Sequence, residues 1–264
     1  MSASRTDELL AIMRRLRAPG GCSWDRAQTF SSIAPYTIEE AYEVLDAIDG
    51  GDMAHLCEEL GDLLFQVVFQ AQIASEAGDF DFDDVAAAIS AKLIHRHPHV
   101  FSADVGSRSV SWEDLKALER GRGSSGSGAL DGVPAALPAL LRASKLSVRA
   151  ARAGFDFAHA ADTAEKVAEE LAEVRAAAAD RGAGGDEDAA AQAIFEEVGD
   201  LLFAAANLAR KLDVDAEAAL RAANQKFERR FRHMERLAAS RGLTFEDLSL
   251  SAQEALWQEV KRVE

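Results

Sequence analysis

Between Leu60 and Ala71 the apolar residues Leu60, Leu63, Leu64, Val67, Val68 and Ala71 return every three or four positions, with polar residues between them. Successive residues of an α-helix are rotated by about 100°, so this spacing gathers the six on one side of a helix. Val198, Leu201, Leu202, Ala205, Ala206 and Ala209 repeat the pattern later in the chain. Each stripe predicts a buried face packed against neighbouring helices. The segments from Thr6 to Arg17 and from Leu137 to Ala153 read as further helices, each ending near a glycine-containing turn. No run sustains the alternation of a strand, and the helix formers Ala, Leu and Glu are abundant. The expected class is all-α, with three to five helices in each half packed as a bundle.

The two stripes belong to a longer repeat. SWDRAQTF around Asp25 resembles GFDF around Asp156, and EEAYEV from Glu39 resembles EELAEV from Glu169. CEELGDLLFQ from Cys57 matches FEEVGDLLFA from Phe195. SAKLIHR around Lys92 aligns with NQKFERR around Lys226, and WEDLK from Trp112 aligns with WQEVK from Trp257. The blocks keep one order, and their offset drifts only with small loop insertions, so a duplication is the economical explanation. Between the halves the chain reads GRGSSGSGALDG, a Gly/Ser tract that offers no hydrophobic face. The expected organisation is a first domain over 1–120, a linker over 121–133 and a second domain over 134–264. The spacer between the acidic blocks is longer in the second copy and carries RGAGGDED, which reads as a surface loop.

Composition narrows the function. A formal net charge of −16 argues against a surface that follows a nucleic-acid polymer, because such binding rests on clustered Lys and Arg. An anionic substrate would need a local cation. The only cysteines, Cys22 and Cys57, form no Cys-x-x-Cys pair, so neither a disulfide framework nor a thiolate zinc site is indicated. The N-terminal residues lack the regions of a signal peptide, and no apolar run approaches the roughly 18 residues of a membrane span. A cytoplasmic protein with no membrane partner is expected.

Residues three apart on a helix project from one side, which pairs Glu170 with Glu173 and Glu40 with Glu43. Glu197 and Asp200 pair in the same way, as do Glu59 and Asp62, and these border the apolar stripe. Antiparallel packing of two such helices would bring four carboxylates around one small volume. Two unit charges 4 Å apart interact by about 4 kcal/mol at an effective dielectric of 20, so the group calls for a bound cation. Oxygen-only ligands select a hard ion, Mg²⁺ or Mn²⁺. His95, His97 and His99 alternate across Pro98 and read as helix-end loop residues, with no zinc site proposed.

The order Glu-Glu-x-x-Glu, spacer, Glu-x-x-Asp, with GCSWD upstream and RHPHVF downstream, resembles the MazG family of all-α nucleotide pyrophosphohydrolases. The resemblance covers nearly the whole chain outside the linker. It implies Mg²⁺-dependent conversion of a nucleoside triphosphate to the monophosphate and pyrophosphate, as housekeeping of the nucleotide pool. It also implies that Glu170, Glu173, Glu197 and Asp200 are metal ligands, with Glu40, Glu43, Glu59 and Asp62 as their counterparts. Lys226, Arg230, Trp257 and Lys261 fall where the family contacts the triphosphate and nucleotide, and Lys166 and Glu169 just precede the ligand pair. In the expected metal-assisted hydrolysis, Glu169 or Glu170 takes the proton of the attacking water, and Lys226 and Arg230 offset charge on the departing pyrophosphate. Trp257 stacks on a base or anchors the C-terminal helix. A homodimer is expected, since the resemblance is to proteins that share bundles between protomers.

Both copies keep all four acidic positions. Where the second has Lys166, Arg229 and Arg230, the first aligns Tyr36, His95 and Arg96, so the second is expected to be the principal active site. Two other functions remain open: a narrow dUTP or dCTP pyrophosphatase with the same metal motifs, and a non-catalytic scaffold that only dimerises. A di-iron bundle would need Glu-x-x-His ligands, and the sequence has none.

Overall fold

The computed structural model describes residues 4–101, 128–181 and 186–263. The chain separates into two compact units, Met1–Gly123 and Ser124–Glu264. The WEDLK block at Trp112, residues 121–127 of the Gly/Ser tract and residues 182–185 of the acidic insertion lie outside the described residues. Every regular element among the described residues is helical, as the periodicity predicts. No helix among them is long and apolar enough to cross a membrane.

The first unit contains α1 (Arg5–Arg17), α2 (Ser23–Ala27), α3 (Phe30–Gly50), α4 (Met53–Ala77), α5 (Phe82–Arg96) and α6 (Pro98–Phe101). The acidic pairs lie on α3 and α4, which form a tight hairpin. Thr29 starts α3 through a capping box with Ser32. Gly51 ends it at φ 72°, a left-handed conformation that favours glycine, and Asp52 at once caps α4 by accepting from the amides of Ala54 and His55. The core joins Met13 of α1, Ile33 of α3 and Val68 and Phe69 of α4, with Phe69 fully buried.

The second unit contains α7 (Ala139–Arg152), α8 (Ala160–Arg181), α9 (Glu187–Lys211), α10 (Ala216–Ser240), a 3₁₀ turn (Phe245–Asp247) and α11 (Leu250–Val263). Here α8 and α9 are the counterparts of α3 and α4. Asp186 caps α9, and Arg181 at the end of α8 pairs with Glu187 at 3.2 Å. The unit has two small cores. One is an alanine contact of Ala143, Ala206 and Ala216 between α7, α9 and α10; the other joins Met234, Ala238, Leu256 and Val260 of α10 and α11.

The apolar stripes are buried only in part. Val68, Ala71 and Ala206 are enclosed, whereas Leu60, Leu64, Val67, Val198 and Leu202 are exposed. The expectation of a fully buried face therefore fails within a single chain. Within each unit one helical hairpin has too few neighbours to cover both sides of its stripe.

Candidate functional site

The α3–α4 and α8–α9 hairpins each bring carboxylates together. In the first unit one oxygen each from Glu40, Glu43 and Glu59 lie within 4.8 Å of one another; in the second, Glu170, Glu197 and Asp200 do the same. The fourth expected member stands just outside each trio. The charge of Asp62 acts on Glu40 and Glu59, and Glu173 hydrogen-bonds with Glu170. Three converging carboxylates and a neighbour stand where four were expected, and each trio joins two residues three apart on one helix to one residue of the other.

The clusters differ in what balances their charge. In the second unit the Lys166 ammonium lies 2.8 Å from Glu170 and 2.9 Å from Glu169. That hydrogen bond holds buried Glu170 below the usual carboxylate range, and the pairing pushes Lys166 up. Glu173 is pushed up instead, first by its hydrogen bond with Glu170 and then by burial.

In the first unit Tyr36 stands in place of Lys166. Burial, followed by the charges of Glu43 and Asp62, pushes Glu40 up. Burial and then Glu43 do the same to Glu59, whose other neighbour is the His55 Nδ1 at 3.2 Å. The second oxygen of Glu59 is buried without a hydrogen-bond partner. A carboxylate oxygen left in that state is unfavourable unless something neutralises it, so this all-oxygen group fits a hard divalent cation. Gln66 adds to it: the Gln66 amide donates to Glu40 at 3.3 Å, and its own buried oxygen has no partner. Sequence reading passed over Gln66, although it lies seven residues from Glu59, on the same side of α4.

The remaining predicted residues sit on another hairpin. Lys226 and Arg230 belong to α10, and Trp257 and Lys261 to α11. Trp257 packs against Phe227 at 5.7 Å and the buried cluster of Met234 and Leu256, with the Arg230 guanidinium 5.5 Å above its ring. The structure thus assigns Trp257 the anchoring contacts. His97 ends α5 by bonding through its Nδ1 to the Leu93 carbonyl at 2.8 Å, as expected of a helix-end residue. Cys22 and Cys57 are free and exposed.

Each unit also clamps the loop ahead of its first acidic helix, which sequence reading did not foresee. Arg17 donates to the carbonyls of Asp25 and Gln28 and pairs with Glu76 at 2.8 Å. In the second unit Asp156 accepts from Arg210 at 2.6 Å and Lys211 at 2.9 Å, and Lys211 also donates to the Phe157 carbonyl. Burial works against ionisation of Asp156, but the hydrogen bonds from Lys211 and Arg210 outweigh it and hold the carboxyl below its usual range.

Comparison with known proteins agrees with this repeated site. The MazG nucleotide pyrophosphohydrolase domain matches twice, at residues 28–101 and 153–235, spans that contain the two carboxylate hairpins. The chain is 52% identical over 270 residues to a nucleoside triphosphate pyrophosphohydrolase of Escherichia coli, covering 99% of this chain and 98% of that one. It is 43% identical over 255 residues to the nucleoside triphosphate pyrophosphohydrolase/pyrophosphatase MazG of Thermotoga maritima, covering 97% and 95%. With its acidic hairpin present in duplicate and its length matched end to end, this chain belongs to the MazG nucleotide pyrophosphohydrolase family.

Proposed function

We propose that the protein hydrolyses nucleoside triphosphates to the monophosphate and pyrophosphate, with Mg²⁺ as the working ion and the second unit as the principal active site. The observation that carries this reading is the convergence of Glu170, Glu197 and Asp200 beside a lysine that already neutralises one of them. Glu170, Glu173, Glu197 and Asp200 would hold Mg²⁺, for which Mn²⁺ is a substitute. Bound there, the ion supplies charge neutralisation of phosphate oxygens and a more acidic water. Lys166, tied to Glu170 without a cation, becomes available to a phosphate oxygen once that carboxylate has another partner.

Glu169 stands beside Glu170 on the same lysine and is the freer of the two to accept the proton of the water attacking the α-phosphorus. Lys226, Arg230 and Lys261 oppose charge on the departing pyrophosphate, and Trp257 keeps Arg230 in place by lying under its guanidinium. The exposed Phe195, Val198 and Leu202 on α9 support a homodimer that covers the α8–α9 stripe. Housekeeping of the nucleotide pool is the role this chemistry suits.

The test is pyrophosphate release from each common nucleoside triphosphate with Mg²⁺. Glu170→Ala plus Glu197→Ala should cost roughly 10²–10³-fold in kcat, the scale on which a lost electrostatic stabiliser acts. Glu40→Ala plus Glu59→Ala should cost less than about threefold. Release of orthophosphate in place of pyrophosphate, or none from any nucleotide, would sink the proposal.

A further inference from the structure

A cavity of about 240 Å³ opens in the second unit between α7, α9 and the loop 154–157. Its walls are Phe155, Phe157 and Phe203, and its polar groups are Ser147, Asn207 and Asp156. The two halves of the molecule differ here. At the position of Asn207 the first unit has Phe69, fully buried, with Trp24 edge-on against it at 6.5 Å. An asparagine there removes a ring from the interior and leaves Phe155 83% exposed at the cavity mouth.

The cavity lies on the same side of α9 as the carboxylates. Glu197, Asp200, Phe203 and Asn207 follow one another at spacings of three, three and four residues, a single row along the helix. At 1.5 Å per residue, Asn207 is about 10 Å beyond Asp200. The sugar and base of a nucleotide bridge that interval when its phosphates rest at the carboxylates.

The polar groups have unused capacity. Arg210 can only donate, and its Nε bonds to Asn207 Oδ1 at 2.9 Å, which fixes the amide so that its NH₂ remains to donate. The Ser147 hydroxyl, on a residue 6% exposed, has no hydrogen-bond partner. Three aromatic walls, a fixed NH₂ donor and an orphan buried hydroxyl make a site for a flat heterocycle with acceptors on its edge. Asp156 is excluded from reading the ligand, because Arg210 and Lys211 occupy both its oxygens.

Resting on the function proposed above, we infer that this cavity binds the nucleobase of the substrate, with Asn207 and Ser147 donating to base acceptors and Phe155, Phe157 and Phe203 enclosing the ring. The donor pair selects bases with a carbonyl at the pyrimidine 4-position or purine 6-position, uracil, thymine and guanine, over cytosine and adenine, which present an amino group there. A base that cannot make one such hydrogen bond is rejected steeply, because the buried donor is left unpaired.

The experiment measures steady-state pyrophosphate release from UTP, GTP, ATP and CTP by the full chain and its Asn207→Phe and Asn207→Asp variants. Retention of uridine and guanosine in equilibrium dialysis and calorimetric titration with Mn²⁺ accompany it. Asn207→Phe installs the residue the first unit carries and should raise KM at least tenfold for every nucleotide, with kcat within about threefold and the Mn²⁺ titration unchanged. Asn207→Asp keeps the size and the Arg210 bond but replaces the donor with an acceptor; kcat/KM for UTP and GTP should fall about tenfold relative to ATP and CTP. KM within twofold of wild type in Asn207→Phe overturns the inference, including the case where that variant instead loses its dimer and so marks an interface. If wild type hydrolyses no nucleotide, the proposed function falls and nucleoside retention decides the cavity alone: loss in Asn207→Phe supports it, and no retention by wild type refutes it.

Discussion

The two carboxylate hairpins start from matching motifs and end in different electrostatic states. In the second unit an ammonium from Lys166 sits on Glu170 and keeps it ionised. In the first, Tyr36 takes that position, Glu40 and Glu59 are pushed toward protonation, and buried oxygens of Glu59 and Gln66 are left without partners. The second cluster can therefore stand without a cation and has a lysine to offer a phosphate. The first has more to gain from a cation and nothing on α3 to offer in exchange. Ligand motifs alone do not distinguish the two copies; the residue one turn before the first ligand, Lys166 or Tyr36, does.

The sharpest way to break this comparison is to exchange that residue. Lys166→Met should lower kcat/KM for nucleoside triphosphates about 100-fold, equivalent to about 2.7 kcal/mol of transition-state stabilisation. Tyr36→Lys should give the first unit no activity but weaken its uptake of Mn²⁺ in a calorimetric titration, because the ammonium competes for the same oxygens. A Lys166→Met enzyme with unaltered kcat/KM would leave the two copies functionally indistinguishable on this ground.

A smaller effect concerns stability. Divalent metal at ten times its Kd adds about 1.4 kcal/mol to the state that binds it, which for a unit of this size raises the unfolding temperature by roughly 5 °C. Thermal unfolding with Mg²⁺ against chelator should show such a shift for the first unit. Glu40→Ala plus Glu59→Ala should abolish it without touching the second unit. A first unit indifferent to Mg²⁺ would mean that its orphan oxygens are balanced in another way.

The smallest effect tests the loop clamps. Asp156→Asn should destabilise the second unit by about 1 kcal/mol at neutral pH, since it weakens two charge-assisted hydrogen bonds that are only partly shielded from water. The sign of the pH dependence follows from the depressed carboxyl. Its contribution is complete above the unfolded value of 3.8 and fades as pH falls through the lower folded value. Denaturant melts of wild type and Asp156→Asn should therefore converge as the pH falls through the lowered folded value; parallel curves would show that Asp156 carries no such linkage.

Much of this was legible in the chain. Apolar period three-and-four gave α4 and α9, glycine-containing turns marked the ends of α1 and α7, and the recurrence of EExxE and ExxD located both clusters. What escaped sequence reading depends on packing between elements distant in sequence. Periodicity reports which side of a helix is apolar but not whether anything covers it, so the exposure of Leu60, Leu64 and Leu202 was invisible. The position of Lys166 on Glu170 is set by rotamers, and the cavity by the absence of one ring at Asn207. Polar residues interrupting an apolar stripe, Gln66 and Asn207, were the available hint.

The alanine contact between α7, α9 and α10 has a bearing on how such a protein diverges. Ala143, Ala206 and Ala216 let the helix axes come close, and Ala206 at 1% exposure has no slack for a larger group. Exchanging one of these methyls for a branched side chain would wedge α7 from α9 and reshape the space between them while leaving every lining residue in place. The shape of this cavity is thus open to adjustment from the helix seam, through residues that do not line it.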